Sequence, residues 1–138
     1  MRAIALSTVL CALAALAQSS PDVVSFIRSV GSALAQAHDA DGLGRPDASP
    51  FLDKFDPNMP GYSTLRDEIE TLVTRAAVGA SIEILMDQGD DHRRSLQLDW
   101  ILEIQDERPR RQVIKCTIER RNKDWKITSF EPIDFFKD

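Results

Sequence analysis

The 138-residue chain carries 17 Lys and Arg against 22 Asp and Glu, a formal charge of −5. An acidic chain whose bases are dispersed among acids makes a poor nucleic-acid binder, so that partner class is set aside. One of the two cysteines lies in the first 17 residues, and Cys116 alone cannot build an internal disulfide.

Residues 1–17 read as a secretory signal peptide. Met1-Arg2 supplies a positive start, the run to Ala14 is apolar, and Ala15-Leu16-Ala17 is a small-x-small ending. Cleavage is expected before Gln18, which removes Arg2 and takes the charge to −6. A membrane anchor needs about 20 apolar residues, and Gln18-Ser19-Ser20 interrupts the run too early. Cys11 lacks the small residue that precedes a lipoprotein cysteine. The expected product is a periplasmic or secreted protein, a single domain over 18–138, with no membrane insertion after cleavage.

Ser20-Pro21-Asp22 is a helix start, with a cap, a first-turn proline and an acid at the positive end. Val23, Phe26, Ile27, Val30, Leu34 and Ala37 follow at helical spacing, and the helix should stop near His38. The Gly/Asp/Pro-rich stretch over 39–50 is a loop. Ser49-Pro50 opens a short second helix bearing Phe51, Leu52 and Phe55. Tyr62 is placed in the next loop, with Ser63 or Thr64 capping a third helix whose apolar stripe is Leu65, Ile69, Leu72, Val73 and Ala76.

After Gly79 the period becomes two. Ile82, Ile84 and Met86 share one face of a first strand. Leu96, Leu98, Trp100, Leu102 and Ile104 share one face of a second, with Asp99 opposite. Ile114, Cys116 and Ile118 mark a third strand, and Trp125, Ile127 and Ser129 a fourth that Pro132 ends. Helices followed by strands predict an α+β fold: three N-terminal helices on a strongly curved antiparallel sheet of four or more strands, cone-shaped, with a natural cavity.

This order resembles the nuclear transport factor 2-like superfamily, also called SnoaL-like or ketosteroid isomerase-like. The closing stretch over 120–132, with its hairpin turn Arg121-Asn122-Lys123-Asp124 and Trp125-Lys126-Ile127, is similar to the ending of that family. So are the segments around Phe55–Tyr62 and Leu96–Trp100 in its bacterial exported members. The resemblance implies a cystatin-like α+β cone and dimerisation through the exposed sheet face. Enzymes of the family pair an Asp base with a Tyr and a protonated Asp. Here the one tyrosine, Tyr62, lies outside the first helix, which argues against isomerase chemistry.

Tyr62, Trp100 and Trp125 are the candidate ligand-lining residues, although both tryptophans also fit core packing. No catalytic residue is assigned, no metal site and no cofactor. His38 and His92 flank acids (Asp39, Asp41; Asp90, Asp91), but without converging spacing they read as solvated loop charges. Asp39 to Gly44 resembles the start of a calcium loop, yet Pro50 occupies the twelfth position. Cys116 reads as a buried small hydrophobe. Arg108, Arg110, Arg111, Arg120, Arg121 and Lys123 form a basic set of turns and strand ends, read first as a solvated edge and second as a weak anion patch. The expected function is non-enzymatic: a small apolar ligand held in the cone, a cone filled by its own side chains, or an interaction or homodimer surface with a small molecule or protein as partner. The alternative is a small hydrolase, isomerase or dehydratase, for which Asp53, Tyr62 or His92 would converge in the cone.

Overall fold

A computed structural model describes residues 19–138; residues 1–17, expected to be a signal peptide, lie outside them. Helix α1 runs Pro21–Gln36 and continues as a 3-10 turn, Ala37–Asp39. Ser20 holds the cap position with extended backbone, but its hydroxyl donates to Asp22 at 2.6 Å, not to a backbone group. Val23, Ile27, Val30 and Leu34 form the buried stripe of α1. Burying each contributes about 1.5–3 kcal/mol.

Helix α2 is one turn, Ser49–Leu52. Its leading amide is held by Asp47, whose carboxylate accepts from Ser49 N at 2.9 Å. Helix α3 spans Tyr62–Arg75. It begins one residue before the expected Ser63, so Tyr62 is helical and not in the loop. Gly61 precedes it with φ of 78°, and a Cβ there would lie 2.7 Å from Ile133 Cγ1. Left-handed backbone and that close approach together require glycine.

The strands are β1 Val78–Gly89, β2 Arg93–Ile104, β3 Arg110–Arg121 and β4 Asp124–Glu131. They form one antiparallel sheet in the order β1-β2-β3-β4. The inward faces of β2 and β3 are as expected: Leu96, Leu98, Trp100, Leu102, Ile104, Ile114, Cys116 and Ile118 are all buried. Lys54, Phe55 and Asp56 close the open edge of β4. Asp56 N donates to Ile127 O, and Ile127 N donates to Lys54 O, each at 2.8 Å.

Two bulges overturn the expected alternation. In β1, Ile84 pairs with Leu98 and Met86 with Gln97, which leaves Leu85 as the extra residue. An extra residue in one strand reverses the phase of everything after it. Met86 therefore faces outward, not inward, and Asp87 takes the inward place opposite Leu96. In β4, Ser129 pairs with Thr117 and Ile127 with Ile118, so Thr128 is extra. Ser129 consequently leaves the apolar face and Phe130 enters it, buried.

Candidate functional site

The space that topology alone would leave as a cavity is occupied. Trp100, on the central strand β2, has ring centroids of Phe130 and Phe135 at 5.8 Å and of Phe136 at 5.6 Å. Phe51 of α2 closes on Phe55 at 5.1 Å and on Phe136 at 5.8 Å. These spacings are those of favourable aromatic pairs. Trp100, Phe51, Phe135 and Phe136 are fully buried.

Tyr62, Trp100 and Trp125 are not brought together. Trp100 is at the centre. Tyr62 is half-buried and lines a cleft of about 380 Å³ between α2 and α3, with Asp53, Arg66 and Glu70. Asp53 and Tyr62 thus share a cleft, but it is on the helical surface and not in the cone. His92 is in the β1–β2 turn, at neither place.

Trp125 is at the rim, where α1 begins beside the β3–β4 hairpin. Its indole N–H donates to Asp22 Oδ2 at 3.1 Å, and Arg120 Nη2 donates to the same oxygen at 2.7 Å. The Arg120 guanidinium also lies over the Trp125 ring, 4.2 Å from its centroid. Hydrogen bonds from Ser20, Arg120 and Trp125, in that order of effect, hold the Asp22 carboxyl well below the usual carboxylate range. A depressed carboxylate stabilises above its unfolded-state pKa, and that contribution fades as the pH falls towards its folded value. Asp22→Asn should cost roughly 1 kcal/mol at neutral pH, limited by the half-exposed position. The difference between wild type and Asp22→Asn should begin to narrow as the pH falls below about 4 and close only well below that, towards the depressed folded-state value; denaturation midpoints measured across that range check it.

The basic set is mostly committed to internal partners. Arg111 forms a two-pronged pair with Asp99, at 3.0 and 2.7 Å, on the outward face where Asp99 was expected. Arg120 is held by Asp22, and Arg121 by Asp56 and Glu119. Arg110 donates to the carbonyls of Phe135 and Lys137. Arg108 and Lys123 are exposed. An anion patch built on the whole set therefore loses its charge to these pairings.

The histidine and acid motifs resolve into turn chemistry. His38 is half-buried, not a solvated loop charge: Nδ1 lies 2.6 Å from Val73 O, which makes it the protonated donor nitrogen. Asp90 accepts from His92 N and Arg93 N at 2.8 and 2.9 Å. Asp39 accepts from Gly44 N at 2.6 Å, and Asp41 from Leu43 N at 2.9 Å. Among the described residues, no group of three or more His, Cys, Asp or Glu could hold a metal ion. Burial pushes the Cys116 thiol up to about 12, which leaves it a packed, unreactive side chain.

Three features lie outside the reach of the sequence patterns. Asp87, turned inward by the bulge, pairs with Arg94 at 2.6 Å, their side chains 6% and 19% exposed. Glu68 on α3 has one carboxylate oxygen buried without a partner; burial first, then Asp134, raises its pKa. Phe135 and Phe136 lie beyond the last predicted strand, yet they fill the cone. Two adjacent phenylalanines after a strand-ending proline are the available signal.

The outward sheet face is the remaining surface of note. A bulge puts its two consecutive side chains on one side, so Leu85 and Met86 both face outward across from Gln97. They are 52% and 43% exposed, and Val113 on β3 is 47% exposed. A trough of about 350 Å³ runs beside them over Gln97, Lys115, Thr117 and Glu131.

No family model and no curated protein sequence matches the chain. Among solved structures, Bd1075 of Bdellovibrio bacteriovorus superposes with a TM-score of 0.64 at 14% identity, over 80% of this chain. This chain spans 38% of the length of that one. A protein of unknown function with a cystatin-like fold, from Nostoc punctiforme, superposes with a TM-score of 0.56 at 11% identity, over 79% of this chain and 85% of its own. At such identities the likeness is one of fold, and the chain accordingly has a cystatin-like α+β fold, three helices followed by a four-stranded antiparallel sheet.

Proposed function

We propose that the chain is a non-enzymatic, exported domain of the nuclear transport factor 2-like kind, and that it works through the outward face of its sheet by pairing with a second copy. What carries this reading is that Leu85 and Met86 of β1 and Val113 of β3 are exposed on one sheet face, on either side of Gln97 and Asp99 of β2, while the cone beneath is filled. Exposed apolar groups gathered on one face mark an interaction surface. The same face carries Glu83 and Asp99 beside Arg111 and Lys115. A two-fold pairing sets each patch against its own copy, so neighbouring opposite charges are self-complementary. The enzymatic alternative needs titratable groups facing one another inside the cone; among the described residues, none that is wholly buried is polar or charged.

The expected result is a dimer whose mass in sedimentation equilibrium depends on concentration. Leu85→Glu combined with Val113→Glu should weaken association by at least about tenfold, because two charges per subunit would be buried at the contact. The melting temperature of the dilute monomer should stay unchanged. A chain that remains monomeric at every accessible concentration defeats the dimer reading.

A further inference from the structure

The two edges of the sheet differ. Lys54 and Asp56 bond to Ile127 and cover the edge of β4. The edge of β1 has no such cover among the described residues. Ala77 O accepts from Gln105 N at 3.0 Å, so Ala77 bonds towards β2. Bonding direction alternates along a strand, so Gly79, Ser81 and Glu83 also bond towards β2. Ala80, Ile82 and Ile84 therefore turn their N–H and C=O groups to the open side. Among the described residues, no backbone bond reaches them there. Edge strands are commonly protected by Lys, Pro, inward charge or a bulge. The stretch from Val78 to Ile84 holds no Lys, Arg or Pro, its one charge, Glu83, lies opposite outward Asp99, and the bulge comes only after it.

A trough of about 320 Å³ runs beside this edge, between β1 and α1. Ala80 and Ile82 line it from the strand, and Ile27, Gly31, Ser32 and Ala35 from the helix. Gly31 lets the helix lie close, since a Cβ there would be 3.6 Å from Ile82 Cδ1. Ser32 and Ala35 are short and exposed, so the trough stays open. Arg28 lines it too, exposed, and among the described residues it has neither a hydrogen bond nor an ion pair. Unpaired strand groups beside such a trough suit the addition of an extended peptide: main-chain bonds supply affinity, and alternate side chains in the trough supply specificity.

We infer that β1 accepts an extended segment of a partner protein as a further strand, with alternate apolar side chains in the trough and an Asp or Glu on the same side meeting Arg28. The unpaired cation selects this occupant over a second copy. The β1 strand of a second copy would present Ala80, Ile82 and Ile84 on that side, and its inward acid, Asp87, is held by Arg94. Two copies joined edge to edge would thus bring together two Arg28 side chains and no free carboxylate. The site uses neither the outward sheet face nor the interior, so self-association and peptide addition can fail separately.

The test uses the full chain with two peptides, acetyl-Thr-Val-Thr-Ile-Thr-Glu-Thr-amide and the same peptide with Lys in place of Glu. The Glu peptide should bind at least about tenfold more tightly. At saturation, hydrogen exchange should slow at the Ala80, Ile82 and Ile84 amides and stay the same at Ser81 and Glu83, which already bond to β2. Arg28→Glu should invert the preference between the peptides, a change that loss of fold cannot produce. Ala35→Trp, which fills the trough from an exposed helix position, should weaken both peptides by about tenfold. Strand addition at β1 is overturned if saturating peptide leaves the three amides unprotected, if the two peptides bind equally, or if Arg28→Glu leaves their order unchanged. Protection of the same amides without peptide, lost on dilution, would place a second copy on the edge and overturns it as well.

Discussion

Trp100→Ala is expected to lower stability by about 4 kcal/mol, the middle of the range for removing a buried aromatic side chain. For a domain of this length that corresponds to a fall in melting temperature of roughly 15 °C. The reason is position as much as size. Trp100 is on β2, which has a hydrogen-bonded neighbour on each side, so its backbone cannot shift to fill the space. Its ring meets Phe130, Phe135 and Phe136 together, and truncation removes all three contacts at once. Trp100→Phe should cost far less, about 1–2 kcal/mol, because it keeps an edge for those rings and removes the unpaired indole N–H. Urea denaturation of the two variants measures both values. A cost below about 1.5 kcal/mol for the alanine variant would mean that the centre collapses freely and is not a packed one.

Alternation makes this centre legible. Five inward positions of β2 come from period two alone, and every one is buried. Helix order and strand order are legible for the same reason: each element carries a stripe of the right period and a stop signal at its end. The bulges are not. Ile84-Leu85-Met86 is apolar throughout, so its pattern fits either phase, and the choice is made by what Asp87 and Gln97 must face. Thr128 is similar, since Ser129 and Phe130 compete for the inward place and only packing against Trp100 decides for phenylalanine. Tyr62, Trp100 and Trp125 qualify as ligand-lining by residue type. Residue type does not say where three elements end up, and the topology sends these side chains to a helical cleft, the centre and the rim. Asp22 is legible as a helix-start charge, but not as the acceptor for two groups about a hundred residues further along.

The second large effect follows from the bulge at Leu85. Because it turns Asp87 inward, a carboxylate lies against the core and is matched by Arg94, whose Nε donates to Oδ1 at 2.6 Å and whose Nη1 donates to Asp90 O at 2.9 Å. The other oxygen, Oδ2, is buried without a partner. Asp87→Ala leaves the guanidinium facing apolar neighbours with one bond instead of two. Breaking a buried pair from one side costs about 3–5 kcal/mol, and the partial exposure of Arg94 places this case nearer 2–3 kcal/mol. Replacing both, Asp87→Leu with Arg94→Met, removes both desolvation costs and the orphan oxygen, so the double variant should lie within about 1 kcal/mol of wild type. The two changes should therefore couple by more than about 1 kcal/mol in a double-mutant cycle, where unrelated sites would simply add. Strict additivity would show that the pair is hydrated and that the bulge carries no electrostatic consequence. Deleting Leu85 offers the independent check. Without the extra residue, Ile84, Met86 and Asp87 pair in unbroken register with Leu98, Gln97 and Leu96, so Met86 stays outward and Asp87 stays inward beside Arg94. The deletion should therefore leave the Asp87–Arg94 coupling in place, still above about 1 kcal/mol in the same cycle; a coupling that vanishes would show that the inward place of Asp87 depends on the bulge itself.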